Sequence, residues 1–136
     1  MNIIYCDWLK TQIALFRDPS EGIEVLKESD DFLGANGQDG SAGFSGGKDG
    51  KGLPCFFIFI AREPHPPTSM LGLIVHEVSH LVDILLERKG IETRSVNTEV
   101  RAHMNEWLFC EVLKIIREQE EADRKKNGRS KNSSKR

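Results

Sequence analysis

The stretch from Pro67 to Gly90 constrains this chain more than any other. Thr68 or Ser69 can cap a helix from about Met70 to Lys89, and Gly90 closes it. Inside it, LIVHEVSHLVD (Leu73 to Asp83) repeats apolar residues at helical spacing; Ile74, Val78, Leu81 and Leu85 form a face that needs a core. His76 and His80 are four residues apart, so they stand one turn above each other on another face and can offer both imidazoles to one ion. Glu77 lies one residue round the helix, near enough to meet a metal-bound water without being a ligand. The same three residues could also be the polar stripe of an ordinary amphipathic helix, so the surrounding sequence has to decide.

Upstream, PCFFIFIA is short, aromatic and β-branched, and is bounded by Pro54 and by REPHPP; it is the clearest strand in the sequence. His65, inside REPHPP, reads as a loop residue, with a metal or substrate contact as the alternative. NIIYC suggests a short N-terminal strand, and SEGIEVLKESDDFL a helix capped by Ser20 around Ile23, Val25 and Leu26. Between Gly34 and Gly52 lie eight of the 12 glycines, a density that favours turns, one or two weak strands and a mobile loop outside the core. AGFSGGKD approaches a phosphate-binding loop, but Ala42 replaces its first glycine and Asp49 the magnesium-binding hydroxyl, so that function is rejected.

Downstream, a second long helix is predicted from about Thr98 to Glu121, with Asn97 or Thr98 as cap and Val100, Met104, Leu108, Val112 and Ile115 as its apolar stripe. Beyond it the sequence turns basic. Asp123 to Arg136 holds seven Lys/Arg and one Asp, or +6; since the whole chain is −2, the remainder is −8. With almost nothing to bury, residues 123–136 read as a disordered, solubilising tail without the interleaved aromatics of a nucleic-acid module.

A chain of 136 residues suits one domain, and 38% hydrophobic with 29% charged residues suits a soluble globular protein with no membrane partner. No basic leader followed by an apolar segment opens the sequence, which points to an intracellular location. Cys6, Cys55 and Cys110 are odd in number and widely spaced, and read as free, buried thiols in a reducing compartment.

Two histidines are not enough for a catalytic zinc, which needs a third protein ligand and an open position. NTEVRAH places Glu99 nineteen residues after His80, in the first turn of the second helix, where the helix dipole favours a carboxylate. With that residue the chain resembles the zincin metallopeptidases of the glutamate-ligand branch, the gluzincins. It is most similar to small HExxH proteins encoded by tailed phages and prophages, which share an HExxHxxDxxLExxGI…NTEVRAY pattern. The similarity spans roughly Ser41 to Trp107, and His103 departs from it where an aromatic residue is expected.

The resemblance implies a single α+β domain over residues 1–122, zincin-like, with a small sheet against two long helices. It implies Zn2+ held by His76, His80 and Glu99, with Glu77 as general base on a water in the fourth position, and hydrolysis of a peptide or isopeptide bond in a peptide or protein partner. A phage-encoded enzyme of this kind would work in the cytoplasm of a bacterial host. Asp83 could orient the histidines, and His103 or Glu106 could orient a ligand or stabilise an oxyanion. Phe57, Ile58 and Phe59, on an edge strand, would pair with the substrate backbone. Two other readings stay open: a catalytically silent zincin-fold module that binds a host or viral protein, and a nucleic-acid-associated protein acting through its tail.

Overall fold

The computed structural model describes residues 2–28, 38–46, 54–92 and 98–133, with side chains in the last segment described as far as Arg129. Among the described residues, four strands and three helices follow in the order β1 (Asn2–Cys6), β2 (Thr11–Phe16), α1 (Pro19–Leu26), β3 (Gly40–Ser45), β4 (Cys55–Ile60), α2 (Met70–Arg88) and α3 (Thr98–Ser133). The strands form one mixed sheet in the order β1-β2-β4-β3: β2 and β4 run parallel, and the two outer strands run antiparallel to their neighbours. The α+β class expected from the sequence is what the chain adopts.

Alternation along the inner strands produces two cores. Ile13, Leu15, Phe56, Ile58 and Ile60 face α2 and α3, whose buried residues include Ile74, Val78, Leu81, Leu85, Leu108 and Val112. Ala14, Phe16, Phe57 and Phe59 face the other way, onto Leu26 of α1. A strand buried on both faces reads as a continuous apolar run, which is why CFFIFI shows no polar alternation. Fully burying each such side chain stabilises the fold by about 1.5–3 kcal/mol.

β4 is therefore an interior strand, not the edge strand expected. Its backbone pairs with Ile13–Phe16 on one side and Gly40–Ser45 on the other, and Phe57, Ile58 and Phe59 are buried. No substrate can add to it. The edge beside α2 is β3, and part of the glycine segment thus does build the fold. Phe44 makes an edge-on contact with Phe56 at 5.0 Å, and the Arg88 guanidinium sits 3.6 Å above the Phe44 ring, tying the end of α2 to the edge strand.

β2 was not anticipated. It forms because a tight turn, with Lys10 at φ 51° and its N–H donating to Asp7 O at 3.2 Å, folds TQIALF back on NIIYC. α1 starts two residues earlier than expected, after Asp18 with Pro19 at its first position, and not from a Ser20 cap. Lys27 in the left-handed region stops it at Leu26; Ser29 to Leu33 of the expected helix lie outside the described residues. α2 matches its expected limits, with the Ser69 hydroxyl accepting from Gly72 N at 3.0 Å and Gly90 at φ 73° beyond its end.

α3 buries Met104, Leu108, Val112 and Ile116 at every fourth position, with Ile116 taking the inward place expected for Ile115. It does not stop near Glu121 but runs to Ser133, so residues 123–133 are helical where disorder was expected. Glu121 supports that turn through ion pairs with Arg124 and Lys125 at 3.9 and 3.5 Å. Arg17 fastens α3 to the sheet: buried, it donates to Ile60 O at 2.8 Å and to Gln119 Oε1 at 2.9 Å. Cys6 is buried, Cys55 half-buried and Cys110 exposed, so the expected burial of the thiols fails for Cys110; all three are free. Among the described residues, no helix is long and apolar enough to cross a membrane.

Candidate active site

The inward face of α2 fixes its rotation, and the opposite side carries His76 and His80 into a cleft of about 790 Å3 under the β3 edge. Its walls include Asp39, just before β3, Gly40 to Ala42 from the strand, and Thr68, Leu73, His76, Glu77 and His80 from α2 and its approach. The two histidines are exposed, and their Nε2 atoms stand 3.1 Å apart. In the free protein that distance is a hydrogen bond in which one ring donates and the other accepts. Two nitrogens on one tetrahedral zinc, each at about 2.0–2.1 Å, stand about 3.3 Å apart, so the pair fits two ligand positions of a single ion.

Glu77 turns the other way round the helix and is 7% exposed, with Oε1 3.9 Å from His76 Nε2. Burial pushes its carboxyl above the ordinary glutamate range, and the two histidines only partly oppose this. Its close neighbour is backbone: a Cβ on Gly40 would lie 2.7 Å from Glu77 Cγ and 2.9 Å from Leu73 Cδ1. Only glycine lets the edge strand approach α2 so closely.

Asp39 was not singled out in the sequence. Its carboxylate accepts from His65 N at 3.0 Å and pairs with His65 Nδ1 at 2.6 Å, while its carbonyl accepts from Ala61 N at 2.8 Å. The His65 hydrogen bond holds the Asp39 carboxyl below its usual range. His65 is thus joined to the wall of the cleft through Asp39, a link that REPHPP alone cannot reveal. The small residue inside GQDGS, flanked by an aspartate, was the only available signal for Gly40 and Asp39.

The remaining candidates lie elsewhere. The Glu99 side chain is 87% exposed and 3.8 Å from His103 Nε2, and it does not line the cleft. Asp83 binds Arg101 at 2.7 Å, linking α2 to α3 in place of orienting a histidine. His103 and Glu106 line a different groove on α3. Among the described residues no three His, Cys, Asp or Glu side chains are grouped so as to hold a metal ion; two of the expected ligands converge and the third does not. The segment that aims the first turn of α3, residues 93–97, lies outside the described residues. No family model matches the chain, and neither the curated proteins nor the solved structures contain a match.

Proposed function

We propose that this chain is a zinc-dependent peptidase with a zincin-like fold, cleaving a peptide or isopeptide bond. The observation that carries the reading is the convergence of the His76 and His80 nitrogens beside a buried Glu77 in one open cleft. His76 and His80 would hold the ion, with Glu99 as the third ligand once it leaves an exposed contact with His103 worth ~0–1 kcal/mol. Zinc, when bound, supplies the Lewis acidity that activates water and polarises a carbonyl. Glu77 does the proton work: poorly solvated against Gly40, it is a stronger base than an exposed glutamate, accepts the proton of the attacking water and returns it to the departing amine. The outer edge of β3 takes over the role first assigned to β4, since Gly40, Ser41 and Ala42 border the cleft and β3 ends the sheet. An extended substrate pairing there would lie across the two histidines.

The displacement of Glu99 favours a second reading, in which the cleft binds a host or viral protein without turnover. Zinc content of the purified protein, measured beside His76→Ala, Glu99→Ala and Asp39→Ala, and hydrolysis of a peptide library by wild type and Glu77→Gln separate the two. The peptidase reading expects about one zinc per chain, lost in His76→Ala and Glu99→Ala, and hydrolysis lost in Glu77→Gln with zinc retained. Zinc undiminished in Glu99→Ala but lost in Asp39→Ala moves the third ligand to Asp39, at the entry to β3. Hydrolysis by neither protein leaves the binding module.

A further inference from the structure

A second groove, of about 800 Å3, lies between the β1–β2 turn and the first half of α3. Both tryptophans of the chain, Trp8 and Trp107, and its single tyrosine, Tyr5, line it. Trp8 and Tyr5 leave 56% and 52% of their surface in solvent. Large aromatic side chains gathered and exposed in this way mark a contact surface, because burying them elsewhere in the core would have stabilised the fold more. The charged groups of the lining are Asp7 and Glu106, beside His103. Ring faces next to carboxylates favour an ammonium or guanidinium group, which both attract. Lys10, 2.9 Å from Asp7, is an exposed partner and is displaced at little cost.

The chain itself supplies such cations. Residues 123–136 carry +6 against −8 for the rest, and Arg124, Lys125, Lys126 and Arg129 are exposed on the last turns of α3. They cannot fold back on their own groove, because α3 is uninterrupted from Thr98 to Ser133. Arg124 follows Cys110, the groove's last residue on that helix, by 14 residues, or ~21 Å along the axis. The three residues after Ser133 span at most ~11 Å. A second molecule has no such restriction.

We propose that the groove receives the basic C-terminal end of α3 from a second copy of the chain, with Trp8, Trp107 and Tyr5 packing on its Lys and Arg side chains and Asp7 and Glu106 neutralising them. Groove and basic end sit at opposite ends of one helix, so a single two-fold axis satisfies both contacts and the pair closes on itself. The proposal is independent of the zinc chemistry.

Sedimentation of the full chain tests it. At about 100 μM and about 50 mM NaCl the protein sediments as a dimer, and about 500 mM NaCl, which shortens the screening length to a few ångströms, dissociates it. Glu106→Lys, Trp8→Ala and the double variant Arg124→Glu, Lys125→Glu each raise the dissociation constant about tenfold or more. A peptide of residues 123–136 quenches tryptophan fluorescence of the full chain and competes the dimer apart. Glu106→Lys replaces one exposed helix former by another, so it reports on the contact even if Trp8→Ala fails to fold by circular dichroism. A monomer under the low-salt condition overturns the proposal, and so does a dimer indifferent to salt and to all three variants. A monomer that binds polylysine through the groove also overturns it, assigning the groove to a foreign basic partner.

Discussion

Gly40→Ala is the substitution that bears most directly on how this site is built. The new methyl would meet Glu77 Cγ at 2.7 Å and Leu73 Cδ1 at 2.9 Å, against an ordinary contact of about 3.5–4.0 Å. Both neighbours are buried and sit on the face of α2 pressed to the sheet, so strand and helix must part by several tenths of an ångström or the glutamate must leave its place. Overpacking of this kind costs about 1–3 kcal/mol. Gly40 does not occupy the left-handed region, so alanine also gains about 0.4–1 kcal/mol by restricting the unfolded chain. The net expectation is a loss of about 1–2 kcal/mol, or roughly 3–8 °C in Tm for a domain of this size. Urea unfolding followed by circular dichroism measures it, and a Gly40/Glu77 cycle with Glu77→Ala, which removes Cγ, should recover at least about 0.5 kcal/mol of the loss. A Gly40→Ala protein within about 0.3 kcal/mol of wild type, or a cycle that is additive, would refute the claim that this close approach positions the glutamate.

Other consequences are open to measurement. Burial raises the Glu77 carboxyl in the folded state, so its contribution to stability is full below the unfolded pKa and lost as pH rises through the folded one. In the metal-free protein Glu77→Gln should therefore be more stable than wild type near pH 8, with the advantage shrinking near pH 4; an advantage that grows on acidification would reverse the sign and sink the argument. Asp39 behaves in the opposite sense: its carboxyl is held low chiefly by the His65 hydrogen bond, so the destabilisation caused by Asp39→Asn should be present at neutral pH and fade as pH falls through the folded pKa. Parallel unfolding curves for the two proteins at every pH would show that the pair contributes nothing. Arg17→Ala leaves the Ile60 carbonyl and Gln119 without their donor and opens a void, for an expected loss of about 2–4 kcal/mol; a change below about 0.5 kcal/mol in a urea titration would mean that the carbonyl is satisfied by water.

The parts of this fold legible in the sequence are those set by local chemistry. α2 announced itself through helical periodicity, a serine cap and a closing glycine, and all three are used as read. CFFIFI was legible as a strand, but its lack of alternation was the unread sign of burial on both faces. TQIALF was missed because its turn, DWLK, lacks the Asn-Gly or Gly-Gly that normally signals a hairpin; Lys10 accepts the left-handed conformation instead. The glycines around β3 suggested looseness, whereas Gly40 is there for closeness. The grouping of His76, Glu77 and His80 along one cleft was legible because one helix carries them all. Glu99 was placed on the correct element, but spacing does not determine how α3 is rotated about its axis against α2. Asp83 shows the same limit, since only the packed pair of helices reveals Arg101 as its partner.

The parallel pairing of β2 with β4 also sets an order of events. The β1–β2 hairpin and α2 can form from near neighbours, but joining Phe16 to Phe59 closes a loop of more than 40 residues that contains the whole glycine segment, and such closure is slow relative to helix and hairpin formation. β3 can take its edge position only after β4 is in place, and Gly40 meets Glu77 only after both. The cleft is then assembled in the last stage of folding: substitutions at Gly40 should speed unfolding and leave the refolding rate nearly unchanged, whereas substitutions inside β2 should slow refolding.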